Sequence, residues 1–552
     1  MTHPPIDDAT LDAAERLAGV TYTAAERAQM RDNLAGQIEL SVRRRTVKLP
    51  NALPPATLFD PRLPGFTMPP QPTLAIPRPA PPMPASDDDI AFAPVRDLSA
   101  WLAAGHLTSL RLTRIYLDRI HRHAPALFCF ATVTTDLALA QAAEADALRA
   151  AGTTLGPLHG IPYAVKDIID TAGITTGWGA EPYAGRVPAT DATIVRRLAA
   201  AGAVLLGKTS VGALAYGDIW YGGRTRNPWN PDEGARGSSA GSASATAAGL
   251  VGFAIGTETL GSILAPSARC GATGLRPTFG RVSRAGAMAL CWSLDKIGPI
   301  CRAVDDIGLV LDVLNGFDPA DPGSIAAPFG WDATRPATAL RVGYVAADFT
   351  DPLDLAILDA IRALGIEPHP VTLPDLPYDA LSNILFAEAA AAFEHLTLDN
   401  TDDLLARQDP GAWPNSFRKA RFLSAVDHIQ LDRLRRLVMQ EMDTIFRDFD
   451  VLVAPVATGP MTIIGNMTGH PALAIRAGFT DLRTREMPEF LHAPAKLAEG
   501  PTHIVPHAIA LMSGLFDEAA ALTLGRALEQ SLAIADRRPI LPPQPEPGRP
   551  TP

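Results

Sequence analysis

The sequence predicts an α/β fold with a largely buried β-sheet. Short apolar runs alternate with helical patterns from residue 160 to residue 320, and this alternation is typical of α/β proteins. Residues 341–345 and 368–373 have the pattern of two further strands with a helix between them, and residues 451–455 form another apolar run. With 47% hydrophobic and 19% charged residues, the composition is that of a globular protein.

The bulk properties exclude several classes of function. The net charge of −11 disfavours direct binding to nucleic acid or to an anionic membrane surface. The four cysteines lack metal-ligand and CxxC spacing, so we interpret them as buried thiols in a reducing compartment. The N-terminus is acidic where a signal peptide is basic, and no apolar run reaches the roughly 18–20 residues of a membrane span. We therefore expect a cytoplasmic protein with no nucleic-acid or membrane partner.

Proline content and helical patterning divide the chain into three segments. Residues 1–90 are predicted to be an extension, residues 91–537 the main domain, and residues 538–552 a Pro-rich, disordered tail. Within the extension, a capping box at Thr23 and Glu26 favours helix. The thirteen prolines from residue 50 to residue 84 exclude helix and central strand there. That proline-rich segment is either an extended strap over the main body or a linker.

The main domain begins with helices and continues into the predicted sheet. Apolar residues recur at near-helical spacing after Thr108, and residues 136–151 form a second, Ala-rich helix. The apolar run from Gly160 then ends in the charged pair Lys166 and Asp167, which indicates a short strand. Residues 377–447 are predicted to be helical.

The stretch from Gly237 to Ser262 carries very few side-chain atoms. Twenty of its twenty-six residues are Gly, Ala, Ser or Thr, so its backbone can approach other atoms closely. Such a stretch can aim N–H groups and hydroxyls at a developing oxyanion. The alternative is a buried Ala/Gly helix flanked by turns, and composition alone does not decide between the two.

One nucleotide-binding motif is rejected. Residues 202–209 match the Walker A pattern, in which the four residues between the glycines form a phosphate-binding loop. Here those four are Ala-Val-Leu-Leu, and they follow a helical pattern. The context therefore predicts a buried strand.

A nucleophile-elbow motif is rejected as well. Residues 237–241 match G-x-S-x-G, which would make Ser239 the nucleophile of an α/β-hydrolase. That motif requires a preceding strand, and we interpret the Pro- and Asn-rich sequence before it as incompatible with one. The chain also offers no well-placed histidine to serve as the base.

Several motifs resemble the amidase signature family. They are GTETLGSI at 256–263, GRVS at 280–283, LHGIPYAVKD at 158–167 and NPWNP at 227–231. The resemblance covers residues 95–535 and is densest between 158 and 300. It implies the amidase-signature fold, a large mixed sheet with helices on both faces. It also implies amide hydrolysis by a Ser–cis-Ser–Lys triad, without a metal or cofactor.

Motif position implies the role of each site residue. Lys166 would be the base, Ser238 the serine on a cis peptide, and Ser262 the nucleophile. The resemblance further implies an oxyanion hole built from the backbone N–H groups of Thr259, Leu260, Gly261 and Ser262. Lysine can accept a proton only when neutral, so burial must lower its pKa from about 10.4. A neighbouring carboxylate would raise that pKa, so Asp167 must point elsewhere.

Four positions depart from the family pattern. Arg236 and Leu260 stand where most members have glycine, Glu258 replaces aspartate, and Leu264 replaces arginine. We hypothesise that Arg269 supplies the missing partner of Glu258, and we expect Leu260 to narrow or reshape the acyl pocket. Because the three triad positions are retained, an active enzyme is favoured over a degenerate binding scaffold.

The sequence thus predicts hydrolysis of a linear amide through an acyl-enzyme on Ser262. Two alternatives remain: a carbamate (urethane) hydrolase, and the glutaminase-type A subunit of a glutamyl-tRNA amidotransferase. The latter resemblance includes residues 293–299, but the extension and the altered glycine pairs argue against it. The expected partner is a small-molecule amide or carbamate, and a homodimer is left open. We expect residues 377–447 to frame the substrate entrance. Within them, the apolar, Ala-rich residues 382–396 are compatible with a substrate that carries an apolar or aryl group.

Overall fold

The computed structural model describes residues 6–77, 81–456, 458–486 and 496–541. Its helices are α1 (Asp8–Ala18), α2 (Ala24–Arg44), α3 (Asp87–Phe92), α4 (Val95–Ala103), α5 (Ser109–Leu127), α6 (Thr135–Ala150), α7 (Thr193–Ala200), α8 (Ala240–Ala247), α9 (Leu264–Cys270), α10 (Val304–Leu314), α11 (Pro352–Ala363), α12 (Ser382–Ala392), α13 (Glu394–Leu398), α14 (Trp413–Ala420), α15 (Ala425–Asp448), α16 (Met461–Thr468) and α17 (Glu518–Leu532). Its strands are β1 (Phe130–Val133), β2 (Pro162–Lys166), β3 (Val204–Thr209), β4 (Ile219–Trp220), β5 (Gly223–Arg224), β6 (Arg226–Asn227), β7 (Asn230–Gly234), β8 (Phe253–Glu258), β9 (Thr273–Arg276), β10 (Lys296–Cys301), β11 (Val342–Val345), β12 (His369–Val371), β13 (Val451–Pro455), β14 (Ala472–Arg485) and β15 (Leu497–Ser513).

Eleven strands form one mixed sheet in the order β1-β3-β2-β8-β10-β9-β14-β15-β13-β11-β12. β2 pairs in parallel with β3 and β8, and β11 pairs in parallel with β12 and β13. The other neighbouring pairs are antiparallel. Every residue of β2, β3, β8 and β10 is buried, so both faces of the central sheet are covered by other elements. The predicted α/β class and large mixed sheet are confirmed.

The strands predicted at residues 341–345, 368–373 and 451–455 correspond to β11, β12 and β13. The long hairpin of β14 and β15 was not predicted. β14 reaches β9 only through residues 472–474, and β15 reaches β13 only through residues 509–513. Beyond those residues the two strands pair only with each other, and many of their side chains are exposed or half-buried. The hairpin therefore lacks the continuous apolar run that reveals a buried strand.

The segment from residue 50 to residue 84 is here called the strap, and its described residues include several that contact the main body. Ala75 N–H donates to the Trp331 carbonyl at 2.8 Å. Gln71 Nε2 donates to the Phe516 carbonyl at 2.9 Å. The described part of the strap contains neither helix nor extended strand, as its prolines require. These contacts favour a strap over a free linker.

Other sequence predictions concern the cysteines and the two ends of the chain. All four cysteines are buried and free, as predicted. The predicted capping box is formed by Thr23 and Glu26 at the start of α2. Most of the predicted Pro-rich tail, from residue 542 onward, lies outside the described residues. Among the helices that the structure describes, none is long and apolar enough to cross a membrane.

Candidate active site

Lys166 is the last residue of β2, and its side chain is fully buried. Its Nζ donates to Ser238 Oγ at 2.8 Å and to Thr257 Oγ1 at 2.7 Å. Burial lowers the pKa of Lys166 to about 7, although the charges of Asp295 and Glu258 act in the opposite direction. A substantial fraction of this amine is therefore neutral near neutral pH, and in that state it can accept a proton.

Asp167 faces away from Lys166, as the hypothesis requires. Its Oδ2 accepts a hydrogen bond from Gly177 N–H at 3.0 Å, and Tyr221 OH lies 3.5 Å from the same oxygen. Burial raises the pKa of Asp167, while the positive charge of Lys208 acts to lower it. The hydrogen bonds of the adjacent carboxylate thus come from Gly177 and Tyr221 and not from Lys166.

The peptide bond between Gly237 and Ser238 is cis. A Cβ atom at position 237 would lie 1.8 Å from the Gly217 carbonyl oxygen, so only glycine fits there. The preceding residue, Arg236, adopts a φ of 61°, in the left-handed region that glycine occupies at less cost. Ser238 itself is buried, with its hydroxyl accepting from Lys166.

Ser262 lies in the turn between β8 and α9 and is 9% exposed. Its carbonyl accepts a hydrogen bond from Ser239 N–H at 3.1 Å, which ties the two serine-bearing segments together. The structure therefore brings Lys166 and Ser238 into direct contact and places Ser262 on the neighbouring turn. In the described part of the chain, the hydroxyls of Ser238 and Ser262 form no hydrogen bond with each other.

The turn that carries Ser262 presents free backbone donors. Within the described residues, no protein group accepts a hydrogen bond from the N–H groups of Leu260, Gly261 or Ser262. Gly261 has a φ of 89°, which a side chain would disfavour. The N–H groups that follow, those of Ile263 and Leu264, both donate to Glu258 Oε2, at 2.8 and 3.0 Å. The turn thus leaves its first amides available while the next two are satisfied.

The partner of Glu258 is Arg276, so the hypothesis that Arg269 replaces the missing arginine is wrong. Arg276 Nη1 donates to Glu258 Oε1 at 2.9 Å, and both side chains are fully buried. Asn466 Nδ2 donates to the same oxygen at 3.0 Å. Arg269 instead pairs with Glu233 at 3.1 Å. The physical reason is sheet order: β9 lies beside β10 and brings Arg276 under the turn, whereas Arg269 projects from α9 toward β7.

Glu233 anchors the small hairpin of β6 and β7 to the long hairpin. It accepts from Arg485 Nε and Nη2 at 2.8 and 2.7 Å and from Asn227 Nδ2 at 3.0 Å. Its side chain is 1% exposed. Despite the opposing effect of burial, hydrogen bonds and charges from Arg485 and Arg269 lower the pKa of Glu233 to about 2.

Glu233→Gln is expected to lower the free energy of unfolding at neutral pH by about 3 kcal/mol, because the buried guanidinium of Arg269 and the half-buried one of Arg485 lose their counter-charge. A pKa lowered from 4.5 to about 2 provides stability that is present above pH 4.5 and is lost as the pH falls toward 2. Urea unfolding of both proteins across that window should show the gap narrowing as the pH falls. A gap that stays constant would contradict the assignment.

The two rejected motifs have structural explanations. β3 spans most of the Walker-like sequence and pairs with β1 and β2 on its two sides, so its N–H groups are not free to bind phosphate. The expectation that no strand precedes Ser239 is wrong, since β7 does so, although it pairs only with β6 outside the main sheet. The Ser239 hydroxyl donates to the Thr257 carbonyl at 3.0 Å and accepts from Lys166 Nζ at 3.1 Å. These bonds, rather than a missing strand, argue against Ser239 as a nucleophile.

A cavity of about 150 Å³ opens beside this cluster. Thr257 and Thr259 line it on the side of Lys166, and Ala52 and Pro54 come from the strap. The other lining residues are Ile168, Ala215, Arg284, Ala285, Gly286, Ala287, Met288, Ala289, Leu290, Trp292, Asp295, Lys296, Ile297, Ala320, Asp321 and Pro322.

Two predictions about the surroundings of the substrate concern residues that do not line this cavity. None of its lining residues lies within 377–447, the segment expected to frame the entrance. Leu260, expected to narrow the acyl pocket, is buried in the main core and does not line the cavity. Instead, the segment 377–447 contacts the strap, since the Ala392 carbonyl lies 3.4 Å from Asn51 Nδ2.

Sequence reasoning missed three residues that shape the site. Thr257 is the direct neighbour of Lys166, and Arg276 and Asn466 hold Glu258. Arg276 lies in residues 274–278, GLRPT, which also resemble the family. Its position could therefore have been noted from the sequence, but its partner could not be deduced from that motif. Among the described residues, no group of three or more His, Cys, Asp or Glu side chains could hold a metal ion.

Comparison with known proteins agrees with this architecture. The family model described as Amidase matches residues 111–506. The A subunit of a glutamyl-tRNA(Gln) amidotransferase from Roseiflexus sp. (strain RS-1) is 34% identical over 482 residues, covering 80% of this chain and 96% of the relative. Native peptide amidase from Stenotrophomonas maltophilia superposes with a TM-score of 0.69 at 30% identity, over 81% of this chain and 98% of that one. A bacterial aryl acylamidase, at 21% identity and a TM-score of 0.67, shares the fold.

The fold and these likenesses define the class of protein, an enzyme that hydrolyses carbon–nitrogen bonds. The match over residues 111–506 covers well over half of the chain. The chain belongs to the amidase signature family.

Proposed function

We propose that this enzyme hydrolyses a linear amide through an acyl-enzyme on Ser262, with Lys166 as the base and Ser238 as the proton relay. The observation that carries the proposal is the 2.8 Å hydrogen bond between Lys166 Nζ and Ser238 Oγ. It lies in a buried setting that lowers the lysine pKa to about 7. A serine becomes nucleophilic only when a neighbouring base takes its proton.

In the first step, the neutral amine of Lys166 accepts the proton of the Ser238 hydroxyl while Ser238 Oγ takes the proton of Ser262. This relay requires the Ser262 hydroxyl to reach Ser238 once substrate is bound. Ser262 Oγ then bonds to the amide carbon, and the carbonyl π electrons move to oxygen. The N–H groups of residues 259–262 would stabilise that oxyanion, each donor contributing about 2.7–4 kcal/mol.

In the second step, the C–N bond breaks and the nitrogen leaves with the proton that Ser238 returns from the charged Lys166. A water molecule then gives a proton to Lys166 through Ser238, and its oxygen bonds to the acyl carbon. The ester C–O bond breaks, Ser262 recovers a proton from the lysine, and the carboxylic acid departs. The lysine begins and ends neutral, so one water is consumed for each amide cleaved.

The decisive experiment is covalent labelling with a fluorophosphonate, followed by peptide mass spectrometry. We expect the label on Ser262 in the wild type and no label on Ser262→Ala, which should also lose turnover of amide, ester and carbamate substrates. Ser382→Ala is the matched control, because Ser382 is a buried serine whose Oγ has no hydrogen-bond partner among the described residues. Labelling of any other serine, or full turnover by Ser262→Ala, would overturn the proposal.

A second candidate is the glutaminase-type A subunit of an amidotransferase. The 34% identity to a relative of that name favours it. The purified chain alone should hydrolyse simple amides if it is a free-standing amidase. Turnover confined to glutamine and dependent on added partner proteins would favour the second candidate. Gel filtration of the same preparation tests the homodimer.

A further inference from the structure

The strap is joined to the cavity wall by one asparagine. Asn51 Nδ2 donates to the Ala289 carbonyl at 2.8 Å, and Ala289 N–H donates to Asn51 Oδ1 at 2.8 Å. Trp292 Nε1 donates to the Asn51 carbonyl at 3.1 Å. The amide of this side chain thus pairs with Ala289 as a neighbouring strand would. Because Ala289 and Trp292 both line the cavity, Asn51 holds the strap at a defined place on its wall.

The cavity extends from the strap to Thr257, a hydrogen-bond partner of Lys166, while Lys166, Ser238 and Ser262 themselves are not among its lining residues. At one end Ala52, which is exposed, and Pro54, which is half-buried, form its rim. At the other end lies Thr257, whose hydroxyl accepts from Lys166. Both strap residues precede the part of the chain that the family model matches, which begins at residue 111. The rim is therefore built by a segment outside that match.

The charged side chains that line the cavity already have partners. Arg284 forms two hydrogen bonds with Asp321, at 3.0 and 2.9 Å. Asp295 accepts from Thr259 Oγ1 at 2.6 Å and also from the backbone N–H groups of Leu290 and Cys291. Among the described residues of the lining, each carboxylate and guanidinium is thus hydrogen-bonded to other protein groups.

The remaining ionisable group of the lining, Lys296, is also hydrogen-bonded within the protein. Its Nζ donates to the Leu294 carbonyl, and burial lowers its pKa to about 7. Most other lining residues are apolar, among them Ile168, Met288 and Ile297. The volume of about 150 Å³ equals that of an engineered apolar cavity, in another protein, that binds benzene.

We propose that the strap supplies one wall of the substrate cavity, and that Ala52 at its rim limits the bound part of the substrate to an uncharged group about the size of one aromatic ring. This inference rests on the proposed amide hydrolysis. It gives the proline-rich part of the extension a role in selecting the substrate. The inference also predicts that glutamine binds poorly in this cavity, because its α-amino and α-carboxylate groups are both charged.

The test compares Ala52→Trp with wild type on three substrates. Benzamide carries a ring on the acyl side, acetanilide carries one on the nitrogen side, and acetamide carries none. Because the indole would occupy the rim, we expect the ratio of kcat/KM for a ring substrate over acetamide to fall about 10- to 100-fold, mainly through KM. Whichever ring substrate is affected identifies the side of the scissile bond that the cavity holds. Ala52→Leu should give a smaller fall in the same ratio.

Leu53→Trp is the matched control. Leu53 is the next residue of the strap, is 53% exposed and does not line the cavity, so the ratio should stay within about twofold of wild type. Equal ratios in wild type and both Ala52 variants would overturn the inference, as would an equal effect from Leu53→Trp.

A binding measurement separates this inference from the proposed chemistry. Benzamide or acetanilide should bind to Ser262→Ala by calorimetry, and Ala52→Trp in that background should weaken binding of the affected compound. Glutamine should not compete. If binding depends on residue 52 but the wild type turns over no amide, the cavity assignment stands and the proposed function fails. If neither benzamide nor acetanilide binds, or if glutamine displaces the one that binds, the cavity assignment fails.

Discussion

Replacing Lys166 by methionine is expected to lower kcat/KM for amide substrates by about 10⁴- to 10⁶-fold, the range seen when one member of a serine triad is removed. Methionine has a similar length and fills the same buried space, but it has no lone-pair nitrogen that can take the proton of Ser238. The measurement is steady-state turnover with a sensitive amine-release assay, and Ser239→Ala is a useful comparison. It removes one hydroxyl that accepts from Lys166 and leaves the bond to Ser238.

The same variant should fold at least as stably as the wild type. Burial lowers the pKa of Lys166 from 10.5 to about 7, so the unfolded chain holds more protons than the folded chain between those pH values. The stability contributed by this site therefore rises with pH across that window. Lys166→Met should lose this dependence in chemical denaturation. An inactive but unfolded variant would leave the catalytic role unsupported, and an active one would refute it.

The pH dependence of the wild type follows from the same group. Only the neutral amine can act as the base, so kcat/KM should rise with pH to a plateau, with a midpoint near pH 7. In a Lys166 variant, the residual kcat/KM should not rise with pH around pH 7. A wild-type profile that is flat from pH 5 to pH 9, or one that falls as the pH rises through about 7, would contradict the assignment of the base.

Replacing Glu258 by alanine is expected to have the largest effect on stability, lowering the free energy of unfolding by about 3–5 kcal/mol. Its carboxylate is the buried partner of Arg276 and also accepts from Asn466 and from the N–H groups of Ile263 and Leu264. Removal would leave a buried guanidinium without a counter-charge and two amides without an acceptor. Urea unfolding measures the loss.

The same change should also reduce activity, because those two amides follow the nucleophile directly and set the shape of its turn. Arg269→Ala is the informative comparison, since its partner is Glu233 and not Glu258. It should cost some stability but retain most of kcat. If the Glu258 and Arg269 variants lost catalysis to the same degree, the separation of the two ion pairs would be wrong.

Local patterns in the sequence were sufficient for much of the fold. The apolar run before Lys166 predicted a buried strand, and that strand is β2. The Walker-like and elbow-like motifs were rejected from context alone, although the strand before Ser239 was missed. The β14–β15 hairpin was not predicted. In its outer half the two strands pair only with each other, and their residues do not alternate regularly between buried and exposed positions. Two strands that pair only with each other have no buried face, so their sequences lack the apolar pattern from which a strand is predicted.

The candidate site shows a similar division. The motif positions of Lys166, Ser238 and Ser262 follow from resemblance, and their catalytic roles remain the predictions tested above. Glu258 departs from the family pattern, and Arg269 was hypothesised to be its partner. The actual partner, Arg276, is brought there by the pairing of β9 with β10. Which strand lies beside which is not encoded in the spacing of a motif.

The sequence by itself determined the α/β class, the positions of five strands (β2, β3, β11, β12 and β13), the apolar setting of Lys166 and the proline-rich character of the strap. Periodicity and proline content act over a few neighbouring residues, so they can be interpreted without knowing the rest of the chain. Only the tertiary structure decided that Lys166 meets Ser238 across 72 residues of sequence and that Asn51 meets Ala289 across 238. Such contacts depend on strand order and on how segments pack, because burial and charge pairing are properties of the folded chain and not of any single segment.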